Sequence, residues 1–148
     1  AANTAVKENL ITYLGQYRML TDSINIRDAF IVNIQVNFDI IPLKDQNANE
    51  VLLRCISVVK DFFAIERWQV NQPIIYGDIY NLLTAVKGVQ TVPKVYCMNL
   101  YDSSLGYSGI AYNILDATKN GIVYPSLDPM IFEVKFPSDN IKGRIANY

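Results

Sequence analysis

The sequence predicts an α+β fold: an N-terminal helix, a mixed or antiparallel sheet with two packed helices, and a C-terminal β-hairpin region. Three observations lead there. The segment IVNIQVNFDI at 31–40 alternates apolar and polar residues, the two-residue period of a half-buried strand. The segment NEVLLRCISVVKDFF that follows carries its apolar residues at helical spacing. The last third holds several short strand patterns between turn signals and no repeated strand–helix–strand unit, which separates α+β from a parallel α/β sheet.

Taken in order, residues from Thr4 to about Met19 read as a helix, with Thr4 as cap and Val6, Leu10, Tyr13, Leu14 and Tyr17 as one stripe. Segment 20–29 is a polar connection. The opening strand runs from about Phe30 to Leu43, and Pro42 near its end points to an exit or a sheet edge. Asn47 or Asn49 caps the next helix, with Glu50 in the first turn, where a carboxylate favours the dipole. Its buried face is Val51, Leu52, Cys55, Ile56, Val59, Phe62 and Phe63. Residues 65–75 are extended or irregular. A helix follows from about Gly77 to Lys87, striped by Ile79, Tyr80, Leu82, Leu83 and Val86, and Gly88 suits the left-handed position after its end. VQTVPKVYCMNL at 89–100 is a strand kinked at Pro93, a second edge hint. Ile110 to about Ala117 reads as a strand, Asn120-Gly121 as a tight turn with a return at 122–124, and Met130 to Phe136 as a last strand closed by Pro137. These divisions predict an N-terminal helix and connection at 1–28, an α+β core at 29–100 and a β-rich region at 101–148, as one compact unit or two subdomains.

The chain of 148 residues is 51% hydrophobic and 18% charged, with mean hydropathy +0.12. A domain of this length buries roughly 70% of the surface of its unfolded chain, so no disulfide or metal staple is required. Charge is lower than the usual ~25%, which fits either a large core or an apolar surface that meets a partner. With 13 basic and 14 acidic residues the net charge is −1, and no basic run exists to neutralise phosphates. No apolar run is long enough to span a membrane. The opening AANTAVKENL lacks Met and the pattern of a signal peptide, and is read as the start of an excised or processed segment. Cys55 and Cys97 are expected as buried free thiols.

The absence of histidine removes the Ser-His-Asp and Cys-His arrangements and most zinc sites. No phosphate-cradling glycine motif is present. No catalytic residue, metal ligand or cofactor is therefore expected, and the chain is read as a non-enzyme. One alternative is a small hydrolase or metal-binding domain using Asp116 and Asp128, which bracket the Asn-Gly turn; the plainer reading gives both to local turns. A second alternative is a nucleic-acid-binding α+β module, since tyrosines stack bases on sheets.

The candidate interface is drawn from two groups. Asn33, Gln35, Asn37 and Asp39 form the polar half of the opening strand; carboxamides donate and accept hydrogen bonds without burying charge. Tyr107, Tyr112 and Tyr124, with Asp128, come from the final third, where Tyr101, Tyr107, Tyr112 and Tyr124 crowd among the ten tyrosines of the chain. Aromatic rings with a polar tip are favoured at protein interfaces, and half-buried strand tyrosines are the alternative.

VNIQVNFDI, NEVLLRCISVVKDFF, PIIYGDIYNLLTAVKGVQTV and NGIVYPSLDPMIFEVKFPSDNIKGR, in this order, resemble the C-terminal part of the baseplate wedge proteins of contractile-tailed bacteriophages, related to the baseplate J-like proteins. The resemblance covers nearly the whole chain, and Tyr124 to Arg144 is its most specific part. It implies a viral structural protein of the virion's tail baseplate, assembled in the host cytoplasm. It implies no enzymatic activity and no cofactor. The partners it implies are further copies of the chain, as a homodimer or higher homo-oligomer, and other wedge subunits; no nucleic acid and no membrane is expected, from the missing basic run and the missing long apolar run.

Overall fold

The computed structural model describes residues 29–126 and 128–146. The N-terminal helix expected at 4–19 lies outside the described residues. The fold is α+β, with helices and mixed sheets.

Strand β1, Phe30–Pro42, is the axis of the structure. Its even positions Val32, Ile34, Val36, Phe38 and Ile40 are each at most 1% exposed and form the centre of the core. Strand β3, Val89–Leu100, runs antiparallel beside it with Gln35 opposite Met98, Asn37 opposite Tyr96 and Asp39 opposite Lys94. On the other side of β1 two short strands lie end to end, both parallel to it. Strand β6, Met130–Glu133, pairs with Phe30–Asn33, and β7, Ile141–Ile145, pairs with Val36–Ile40. Strands from the final third thus flank the strand that opens the described chain.

Of the two readings of Pro42, exit or edge, the exit holds: β1 is central and Pro42 is its last residue. Pro42 is tolerated there for a local reason. Even-numbered β1 residues turn their N–H groups toward the β6/β7 side, and β7 has ended before Pro42 is reached, its last pairing being Ile145 with Ile40. Strand β3 is an edge, as Pro93 suggests. The register slips between Asp39 and Ile41, where three residues of β3 advance against two of β1. Pro93 falls in this bulge, where a missing N–H costs no ladder bond. The bulge also explains why the buried positions of β3 are Val92, Val95 and Cys97 and not a single parity.

Helix α1, Ala48–Phe62, is capped by Asn47, whose Oδ1 accepts from the N–H of Glu50 at 3.2 Å. Helix α2, Tyr76–Thr84, ends earlier than expected; Gly88 is left-handed (φ 97°) but serves the turn into β3, against Val51 and Gln46. Both helices pack on the core face of the main sheet, α1 mainly over β7 and α2 over β3, and Phe62, Phe63 and Trp68 form an aromatic cluster beside it. Between the helices, Ile65–Arg67 makes a single 3-10 turn.

The expected strand at 110–117 is replaced by a coil and a short helix, α3, Ile114–Ala117. Asn113 caps it, Oδ1 accepting from Asp116 N–H at 3.0 Å; the cap signal prevails over a short alternation. The tight turn at Asn120-Gly121 holds, with φ of 55° and 78°. It joins β4, Thr118–Lys119, to β5, Ile122–Val123, and β5 also pairs β2, Ile74–Ile75, in a small second sheet. A last helical turn, α4, Pro137–Asn140, leads into β7. Both cysteines are free and buried.

Candidate interaction surface

Because α1 and α2 occupy one face of the main sheet, the odd residues of β1 look the other way. Beside Gln35, Asn37 and Asp39 lie Met98, Tyr96 and Lys94 of β3, and Lys142 and Arg144 of β7. Tyr96 and Met98 are 36% and 45% exposed. Among the described residues no helix or sheet covers this part of the face.

The polar side chains there are ordered by one another. Gln35 Nε2 donates to Asn37 Oδ1 at 2.9 Å. The Nδ2 of Asn37 is buried without a partner among the described residues, a cost that a docking group with an acceptor would relieve. Asp39 takes a two-pronged bond from Arg144, Nε at 3.2 Å and Nη2 at 2.7 Å, which raises the guanidinium's proton affinity further. Lys94 lies over the Tyr96 ring at 4.6 Å. With Lys142 and Arg144 the open face carries three cations against the carboxylate of Asp39.

Asn33 behaves differently from its three companions. It is 1% exposed. Its Nδ2 donates to Glu133 and its Oδ1 accepts from Ser108 N–H, both at 2.8 Å. Ser108 Oγ donates to Ile31 O at 2.6 Å, continuing the edge where β3 has ended. The 106–110 segment then crosses the face: Tyr107 Oη accepts from Asn140 Nδ2 at 3.0 Å, and Lys135 Nζ donates to Gly106 O. This crossing forms a step at one end of the open face.

The tyrosines singled out from the sequence are used locally. Tyr107 also packs its ring on Phe136. Tyr112 stacks edgewise on Phe132 and donates to Tyr124 O at 2.5 Å; burial pushes its pKa up. Tyr124 is 46% exposed. Asp128 is exposed, and its carbonyl accepts from Ser126 Oγ. Asp116 holds the Nδ2 of Asn113 at 2.8 Å. Among the described residues no group of three or more His, Cys, Asp or Glu side chains is placed to hold a metal ion.

Sequence reasoning missed Tyr76 and Tyr80, one turn apart on α2. Antiparallel pairing turns the N–H groups of Val95 and Cys97 away from β1, to the free side of β3. Each meets a tyrosine hydroxyl at 3.1 Å, Val95 that of Tyr80 and Cys97 that of Tyr76. Four residues of helix rise about 6.0 Å and two of strand about 6.6 Å, so the spacings match. Burial pushes Tyr76 up to about 12 and the Cys97 thiol up to about 12. Asn99 ties the 110–112 segment to the sheet, its Oδ1 accepting from Tyr112 N–H at 2.8 Å and its Nδ2 donating to Ile110 O at 3.3 Å and to Asn33 O at 3.0 Å. The start of strand β6, at Met130, is closed by Asn71, held at φ 62°. Its N–H donates to Met130 O at 2.7 Å, and its Oδ1 accepts from Met130 N–H at 3.0 Å. A single asparagine so takes the place of a strand. In the sequence Tyr80 reads only as part of a core stripe, and Tyr76 falls outside the expected helix, which begins one residue earlier than its pattern suggests.

Comparison of the chain with models of known families, with curated protein sequences and with solved structures finds no match.

Proposed function

We propose that this chain is a structural assembly module, a subunit of a contractile-tail baseplate wedge, whose work is to hold other subunits and not to transform a substrate. The observation that carries the reading is the open sheet face: Gln35, Asn37, Tyr96 and Met98 form a polar and aromatic centre bordered by Lys94, Asp39, Lys142 and Arg144. A centre of adaptable hydrogen-bonding groups and an aromatic within a charged rim is the anatomy of a protein contact. The resemblance of the sequence to the wedge proteins supports the biological setting.

Sedimentation over a range of chain concentrations tests the reading. Reversible self-association is expected, weakened by Gln35→Lys, which places an unpaired charge at the centre of the face. Association unchanged by that substitution clears the face of the role, and a monomer at every concentration counts against self-assembly.

A second reading is favoured by Tyr96 lying among Lys94, Lys142 and Arg144, since exposed sheet aromatics beside cations stack nucleic-acid bases. A fluorescent oligonucleotide titrated at low salt distinguishes it, because low salt strengthens any phosphate affinity. No binding there ends it.

A further inference from the structure

The edges of the main sheet are finished unequally, and β7 is the one that no side chain is seen to cap among the described residues. On the free side of β3 the N–H groups of Val95 and Cys97 are met by the hydroxyls of Tyr80 and Tyr76, and on that of β6 both backbone groups of Met130 are met by Asn71. In β7 the N–H of Ala146, just past its end, donates to Ile40 O at 2.8 Å. By the alternation of strand groups, Lys142 and Arg144 also turn their backbone polar groups toward β1. Those of Ile141, Gly143 and Ile145 point outward. Among the described residues no strand and no side chain is bonded to the outward groups of Gly143 and Ile145. An unpaired strand edge is a template for another strand.

The side chains around this edge select the occupant. Lys142 and Arg144 stand on the open face two residues apart. A second β7 running antiparallel about Gly143 would set Lys142 against Arg144 of the other copy, and like charges directly opposite destabilise a ladder. A strand with carboxylates at alternate positions meets the same cations favourably. On the other face α1 lies over the edge, with Leu52 Cδ1 2.7 Å from where a Gly143 Cβ would stand. Leu52 and Ile56, one turn apart, are half-buried, and Leu53 is 66% exposed. They present an apolar ledge to the alternate residues of an added strand.

We propose that β7 accepts an extended segment of a neighbouring protein as an added strand, with acidic residues at every second position facing Lys142 and Arg144 and apolar residues facing Leu52 and Ile56. This goes beyond self-association through the sheet face, since it concerns a different surface and a different occupant. Nucleic acid is the weaker candidate: among the described residues the face offers Tyr96 alone as a stacking platform, whereas outward N–H and C=O groups are matched by another backbone.

Amide hydrogen exchange on the full chain tests it, with an end-blocked synthetic heptapeptide alternating valine and glutamate as probe, and the same peptide with lysine for glutamate as control. The amides of Gly143 and Ile145 are expected to exchange rapidly in the chain alone and to slow with the glutamate peptide only. Ile145→Pro removes an outward N–H and spares the bonds to β1. It is expected to weaken binding by about tenfold or more, the loss of one strand bond together with the clash of the ring. Lys142→Glu, an exposed change that leaves the backbone intact, is expected to weaken the glutamate peptide and strengthen the lysine peptide. The proposal is overturned if both peptides bind alike, or if a thymidine oligonucleotide protects these amides and the glutamate peptide does not. Protection that rises with chain concentration alone, or is already complete in the dilute chain, also overturns it. Gln35→Lys leaves the β7 backbone untouched, so loss of self-association and loss of peptide binding are read separately.

Discussion

Along β3 the outward N–H groups of Val95 and Cys97 end on the hydroxyls of Tyr80 and Tyr76, while along β7 those of Gly143 and Ile145 meet no partner among the described residues. The contrast has a geometric origin. Helix α2 runs beside β3 and can reach over its edge with long, polar-tipped side chains. Helix α1 instead sits directly on β7, because Gly143 has no side chain to hold it away. One edge is closed by side chains that arrive from outside the strand; the other is left to its own charges. A strand edge is therefore not a property of the strand alone, and the neighbouring helix decides whether it is available.

The largest effect that would break this contrast is expected at Gly143. A Cβ there would lie 2.4 Å from Phe38 Cζ and 2.7 Å from Leu52 Cδ1, so Gly143→Val must push α1 off the sheet. Overpacking of this kind costs about 1–3 kcal/mol or more. Urea unfolding is expected to show a loss at or above the top of that range; a loss within experimental scatter would mean that α1 does not depend on this contact.

Next is the sealed edge. Phenylalanine at both Tyr76 and Tyr80 keeps the rings and removes the two acceptors. Leaving a buried N–H without a partner costs about 1–3 kcal/mol, so the double variant is expected to lose roughly 2–4 kcal/mol in the same measurement. The amides of Val95 and Cys97 are expected to exchange faster while those of Gly143 and Ile145 are unchanged. Equal exchange before and after would show that the hydroxyls do not seal the edge.

The same edge predicts a pH dependence. Burial raises Tyr76 from an ordinary value of 10.0 to about 12, and Cys97 from 9.0 to about 12. Both groups hold their protons more tightly folded than unfolded, so between these limits the folded state binds more protons and stability falls as pH rises. The expected melting temperature, as far as these two groups set it, is level below about pH 9 and declines from there to about pH 12. Tyr76→Phe is expected to make the decline shallower above pH 10, and an unaltered slope would remove Tyr76 from its cause.

The smallest effect is expected at the open side. The Arg144 side chain is 75% exposed, so Asp39→Asn is expected to cost well under ~1 kcal/mol of stability despite the two-pronged bond. Its use is to sharpen the comparison: freeing Arg144 adds to the positive charge beside β7, and the glutamate peptide is expected to bind more tightly. Weaker binding would mean that Asp39 holds Arg144 in the orientation an added strand needs.

Much of this architecture was legible in the chain. The alternation from Val32 to Ile40, the Asn47 cap with its apolar stripe, and the Asn120-Gly121 turn rest on interactions within a few residues of one another, so composition and spacing suffice to read them. Where two local signals competed, the weaker pattern misled. Ile110, Tyr112 and Ile114 alternate like a strand, yet the side chain of Asn113 caps the turn that follows and ends the extended run. Of the candidate interface, Gln35, Asn37 and Asp39 do face outward, but Asn33, of the same parity, is buried under Ser108 by a contact 75 residues away in sequence.

By itself, then, the sequence determined the inward face of β1 from Val32 to Ile40 and the start and apolar stripe of α1, because periodicity and capping act through the bonds of a single turn or strand. Only the tertiary structure decided that β1 is central, that α2 caps two N–H groups of β3 and Asn71 the start of β6, and that β7 keeps an unpaired side among the described residues. Edge and centre depend on which strands come to lie beside each other, and that is set by packing between segments that carry no mark of each other in their local pattern.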